Sequence, residues 1–107
     1  MVERDAIFWA DLGPPAGRRP VCVLARTPAA EVLSAVTCAA VTRTIRGIAS
    51  EVEIGPDQGL PAACAINCDS LFSVPIELLD PRPVGVLGFD RRIALDQALR
   101  CALDIRY

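Results

Sequence analysis

The sequence predicts a small, mainly β fold of about five to seven strands followed by a C-terminal α-helix. Three observations carry this. Short apolar, β-rich runs recur from residue 6 to residue 87, each ended by Gly, Pro or a polar cluster. The two central runs, Val21–Ala25 and Val36–Val41, lie within one stretch, Arg18 to Gly47, with polar groups at both ends. Only after Asp90 does the apolar spacing become helical. Strands so short and numerous fit a curled sheet or small barrel, with the helix over its open end. The 107 residues suit one domain, 1–107.

Taken in order, Ala6 to Leu12 reads as a strand, with Ile7 and Trp9 on one face and Phe8 and Ala10 on the other. Trp9 is expected in the core. Two Pro and two Gly make Gly13–Gly17 a loop. Pro20 cannot donate to a ladder and belongs at a strand start or an edge. Val21–Ala25 is continuously apolar, as in a strand covered on both faces. Thr27 and Pro28 can open a short helical turn as N-cap and first helical residue. Ser34 to Thr42 is the third strand and Thr42 to Gly47 a polar loop. Ile48 to Ile54 alternates as a half-exposed strand, and Gly55–Gly59 is a turn. Ala62–Leu71 and Val74–Leu79 read as two strands split around Asp69 and Ser70, and Val84–Leu87 as a last short one. Asp90 is then an N-cap. Ile93, Leu95, Ala98, Leu99, Ala102 and Leu103 form the apolar side of a helix of three to four turns.

Composition narrows the function. Hydrophobic residues make up 52% and charged residues 22%, enough for a packed core. No apolar run approaches the roughly 20 residues of a membrane helix. The N-terminus has no apolar leader segment, so cytoplasmic residence is expected. Net charge is −2, which argues against a wholly basic nucleic-acid binder. The charges are uneven, however: through residue 50 six Arg face four acids, and from 51 onward five Arg face nine. All cations are Arg, the side chain suited to phosphate forks and planar stacking, although Arg-biased codon usage explains the missing Lys as well. The five Cys are odd in number and lack CxxC spacing. Neither a disulfide framework nor a structural zinc site is expected, and Cys22, Cys38 and Cys101 read as small core residues. The absence of His removes the usual triads and the imidazole base.

If the two central runs pair antiparallel, Arg19 comes near Thr42, with guanidinium and hydroxyl facing one small area. The segments IFWADLGPP, RRPVCVL, AAVTRTIRG, IASEVEI and INCDSLFSVP, with the closing helix, together resemble the MazF/PemK toxins, the RNA-cleaving halves of bacterial toxin–antitoxin pairs. The resemblance spans almost the whole chain. It implies an SH3-like barrel, a homodimer, a MazE-like antitoxin partner, and cleavage of single-stranded RNA at short sequences with no metal or other cofactor. It also implies that Arg19, of the RP motif, and Thr42, of the AxVT motif, match the family's catalytic pair. Many members carry a longer loop before RP; here that loop is GPPAG.

RNA brings its own nucleophile, the 2′-hydroxyl. Arg19 could hold the non-bridging oxygens as charge builds on phosphorus, and Thr42 could fix the phosphate in place. Arg is too basic to take the proton. The expected products are a 2′,3′-cyclic phosphate and a 5′-hydroxyl. Arg18, Arg43, Thr44 and Arg46 could hold backbone phosphates, while Asn67 and Asp69 could read base edges. Plainer readings stand beside these: Arg18 and Arg19 as a solvated strand end, Arg43 and Arg46 as a solvated turn, Asn67 and Asp69 as turn residues bonding their own backbone. The alternative function is a CcdB-like barrel that inhibits a protein such as DNA gyrase, although the helix end, Leu103–Tyr107, lacks the Trp expected for that action.

Overall fold

Period-two alternation in the first strand, β1 (Ala6–Asp11), sends Ile7 to one side of the sheet and Phe8 and Ala10 to the other, and a core lies on each side. The computed structural model describes residues 2–26 and 32–106, so the helical turn expected at Thr27–Pro28 lies outside the described residues. The remaining elements are β2 (Arg18–Val23), β3 (Ala35–Thr42), β4 (Glu51–Ile54), β5 (Cys64–Pro75), β6 (Gly85–Val86) and helix α1 (Phe89–Ala102). All strand pairs are antiparallel, in the order β4-β5-β3-β2-β1-β6. Among the described residues the six strands make one curled sheet, a half-barrel with a C-terminal helix, as the sequence predicts.

One core contains Ile7, Cys22, Ala39, Val52, Ile66 and the helix residues Leu95 and Ala98. The other contains Phe8, Val21, Val23, Val36, Cys38 and Val74. Burial pushes the Cys38 thiol up to about 12 and the Cys68 thiol up to about 11, so both are inert core groups. Cys101 is exposed, contrary to expectation. The helix's buried stripe runs through Leu95 and Ala98, flanked by Ala94, Leu99 and Ala102, and this leaves Ile93 and Leu103 exposed. Gly88 takes the N-cap position and Asp90 sits in the first turn, where a carboxylate suits the helix dipole.

Two strands differ from expectation. β4 is shorter because Ile48–Ser50 turns, with the Glu51 N–H donating to the Ile48 carbonyl at 3.0 Å. β5 is one strand of 12 residues instead of two. Its register against β3 passes from Ala40↔Asn67 to Ala39↔Leu71, so Cys68, Asp69 and Ser70 are extra residues in a bulge. The polar pair that reads as a break is this bulge. The segment Ile76–Leu78, expected as strand, is a 3₁₀ turn.

The sheet curls until its edges meet. The turn after β4 presses against the residues at β6. Gly59, at φ +89°, has no room for a side chain, since a Cβ there would lie 2.6 Å from the Val84 carbonyl oxygen. A Cβ on Gly85 would run into the Gln58 carbonyl. Gly85→Ala should therefore cost about 1–3 kcal/mol in urea unfolding. Gly88→Ser, in open space at the N-cap, should change stability by only a few tenths of a kcal/mol.

Asp5 precedes β1 at φ 72°, a left-handed conformation that Asp tolerates better than most residues. Its side chain is 13% exposed, with Arg4 and Arg92 each 3.9 Å away. Burial raises its pKa above the ordinary carboxylate value despite both cations. A folded pKa above the unfolded one means that the folded state binds the extra proton, so this contribution falls as pH climbs from the ordinary value through the raised one. The stability of wild type minus that of Asp5→Asn should decline across that window and then level off, as read by urea unfolding at a series of pH values.

Candidate functional site

The site begins with a missing donor. The Leu24 N–H donates to the Thr37 carbonyl at 2.9 Å, which fixes the phase of β2: Leu24, Cys22 and Pro20 turn their amides toward β3. Pro20 has no N–H to give. The β2–β3 ladder ends at Val21↔Ala40, while Arg18–Pro20 continue to pair with β1. The β2 strand thus begins at Arg18, three residues before the sequence predicts, and the two arginines lie in the strand.

At this end of the seam lies a groove of about 400 Å³. Arg18, Arg19 and Pro20 of β2, Val41 and Arg43 of β3 and its exit, Trp9 of β1, and Leu60 to Ala62 before β5 line it. Trp9 is half-buried at this groove and not in the core. The register continued two residues past the last pair sets Arg19 across from Thr42.

The arginines here are in different states. The Arg19 Nε–H donates to the Ala16 carbonyl at 2.9 Å, and its two Nη groups have no acceptor among the described residues. Arg43 forms no ion pair among the described residues. Arg18 is engaged: its Nη1 donates to Asp80 Oδ1 at 2.8 Å, its Nη2 donates to Oδ2, and its guanidinium carbon lies 5.4 Å from the centre of the Trp9 ring. The hydrogen bond from Arg18 holds the Asp80 carboxyl below its ordinary value.

Thr42 Oγ1 accepts the Thr44 N–H at 3.1 Å, bracing the loop that leaves β3. Glu51 Oε1 accepts the Arg46 and Gly47 amides at 2.9 and 3.2 Å and fixes the far end of that loop. Arg46 is exposed and outside the groove lining. Asn67 and Asp69 sit at the β5 bulge, also away from the lining. Asn67 Oδ1 accepts the Asp69 N–H at 3.0 Å, and Asp69 Oδ2 accepts the Ser50 hydroxyl at 2.6 Å. Arg18, Arg19 and Arg43 thus line the groove together, while Thr42 and Thr44, at the end of β3 and in the loop after it, are outside the lining, as are Arg46, Asn67 and Asp69. Sequence reading misses Asp80, Glu51 and Leu60–Ala62. Asp80 is 62 positions from Arg18 and carries no local signal. A carboxylate at the start of a strand after a Gly turn was the one available cue for Glu51.

A curled half-barrel of this kind is shared with solved bacterial toxins. The Mycobacterium tuberculosis toxin MazF-mt6 superposes on this chain with a TM-score of 0.87 and 32% identity, over 95% of this chain and 99% of that one. The model of the PemK-like, MazF-like toxins of type II toxin–antitoxin systems matches residues 3–103, and the chain belongs to that family. The probable endoribonuclease MazF5 of M. tuberculosis (strain H37Rv) is 39% identical over 102 residues, covering 94% of this chain and 92% of its own. A mycobacterial endoribonuclease solved in complex with its cognate antitoxin shares the fold at a TM-score of 0.86 and 21% identity, over 100% of this chain and 99% of that one.

Glu51→Ala should free the 42–47 loop. The amides of Arg46 and Gly47 should exchange with solvent faster, by a factor corresponding to about 1–3 kcal/mol for losing a charged acceptor, as read by hydrogen exchange.

Proposed function

We propose that the chain is an endoribonuclease toxin that cuts single-stranded RNA at this end of the β2–β3 seam, beside the groove, through Arg19 and Thr42, without a metal. The observation that carries the reading is the pair of Arg19 Nη groups without an acceptor among the described residues at an opened seam, across from Thr42 in register, in a chain with an M. tuberculosis relative named a probable endoribonuclease. Arg19 binds the non-bridging oxygens of the scissile phosphate and holds them more tightly as charge develops on phosphorus. Its Nε–H bond to Ala16 aims the fork, so little reorganisation is needed when the charge appears. Thr42 positions the phosphate for in-line attack by the neighbouring 2′-hydroxyl. The 2′-oxygen–phosphorus bond forms as the bond to the 5′-oxygen breaks. The 2′-proton leaves and the 5′-oxygen gains one, giving a 2′,3′-cyclic phosphate and a 5′-hydroxyl.

Arg43 and Arg46 take flanking phosphates, Thr44 supports them, and Asn67 and Asp69 read base edges at the neighbouring bulge. The toxin works as a cytoplasmic homodimer; exposed apolar side chains such as Phe89 (74% exposed) and Ile93 (43%) support burial against a second copy. A MazE-like antitoxin neutralises it by laying an acidic segment over the free arginines. The antitoxin complex of the mycobacterial fold relative supports this partner. No described helix is long and apolar enough to cross a membrane.

The test is incubation of the purified protein with mixed single-stranded RNAs in chelator, with the product ends identified. Wild type should leave cyclic phosphate and 5′-hydroxyl ends. Arg19→Ala should lose about 10²–10³ in rate, the usual loss for one oxyanion donor. Undiminished cleavage by Arg19→Ala would remove the assignment. Absence of cleavage by wild type, together with blocked DNA supercoiling by gyrase, would favour the CcdB-like alternative.

A further inference from the structure

Resting on that reading of the groove, we infer that Arg18 is a base-stacking plane and not a phosphate fork. Its guanidinium lies over the Trp9 ring, within cation–π range at 5.4 Å. Nη1 and Nη2 both donate to the Asp80 carboxylate, the two-toothed geometry that keeps guanidinium and carboxylate in one plane. Asp80 is itself anchored to the same strand as the indole: its backbone N–H donates to the Trp9 carbonyl at 2.9 Å, and the preceding Leu79 bridges to Ala10. The cation is therefore backed by an aromatic ring and neutralised along its edge.

A phosphate reaching this fork would have to displace Asp80. What Arg18 offers the groove is its outer face, on a side chain that is 54% exposed. A flat, charge-balanced surface of this kind takes an unstacked nucleobase. Phosphate contacts then fall to Arg43 and to Arg19, whose Nη groups have no acceptor among the described residues. Arg18 neighbours Arg19 in the chain and lines the same groove, so the stacked base belongs to a nucleotide flanking the scissile phosphate. Preference there follows stacking strength, with purines above pyrimidines.

The probe is the oligoribonucleotide cleaved in the assay above, made uncleavable by a 2′-O-methyl group at the scissile nucleotide. Trp9 is the only Trp of the chain, so its emission reports directly on the plane. Arg18→Lys keeps the charge and loses the plane. It should weaken binding about tenfold, as the loss of one stacked base does, without changing the salt dependence. An abasic substitution at one flanking position should cost wild type the same factor, cost Arg18→Lys nothing further, and abolish the change in Trp9 emission on binding. Asp80→Asn frees the fork for phosphate and should steepen the slope of log affinity against log salt by about 0.7, one single-strand phosphate contact.

Unchanged binding by Arg18→Lys overturns the inference, as does a salt slope made shallower by about 0.7 in Arg18→Ala. In either case wild-type cleavage leaves the functional reading standing. If wild type cleaves no RNA, that reading fails and the stacking role falls with it.

Discussion

The groove depends on one absent hydrogen. Along β2 and the residue that follows it, the amides of Leu24, Cys22 and Pro20 face β3, and the third of them is an imino acid. With no donor there, the β2–β3 ladder stops at Val21↔Ala40, while β1 still holds the outer side of β2 through Asp11↔Arg18. The strand is thus firmly held along one side and released along the other. Two arginines that a solvated loop would let wander are instead set on a strand at the lip of a groove. The loop leaving β3 faces them, braced by the Thr42 hydroxyl at one end and the Glu51 carboxylate at the other.

Charge in this molecule is organised by pairing more than by number. The chain as a whole carries −2. Around the groove, Asp80 neutralises Arg18, whereas Arg19 and Arg43 keep their charge unmatched among the described residues. A polyanion approaching the protein meets a local positive field on a mildly acidic body. That favours one docking place and discourages general adhesion. One arginine of the three lining the groove is thus matched by a carboxylate among the described residues, and two are not.

Much of this was legible in the sequence, for physical reasons that differ between elements. The strands β1 and β3 announce themselves by alternation and by the punctuation around them, and their predicted limits agree with the observed ones to within a residue. Helix α1 is evident from its period, but which of its apolar residues reach the core depends on where the sheet lies, so Ile93 and Leu103 read as inward and are exposed. Asp69 and Ser70 read as a break because polar residues interrupt a strand; neighbours on both sides make them a bulge. Trp9 reads as core on hydrophobicity alone, yet Pro20 opens the space beside it. Asp80 is out of reach for any local rule, since its role exists only after β1 has brought Trp9 to it. That Arg19 stands across from Thr42 in register follows from pairing two adjacent strands, which requires no long-range knowledge.

The three extra residues of β5 impose a rule on sequence length. An odd surplus between Asn67 and Leu71 is what lets Ile66 and Leu71 both point to the side carrying the helix, opposite Val41 and Ala39. Loss of a single codon there would invert every downstream side chain of the strand, turning Phe72 and Val74 toward the wrong core. Loss of two would preserve the alternation. Among descendants of such a gene, insertions and deletions at this point should survive in even steps, a parity constraint imposed by the pleat and independent of which amino acids are involved.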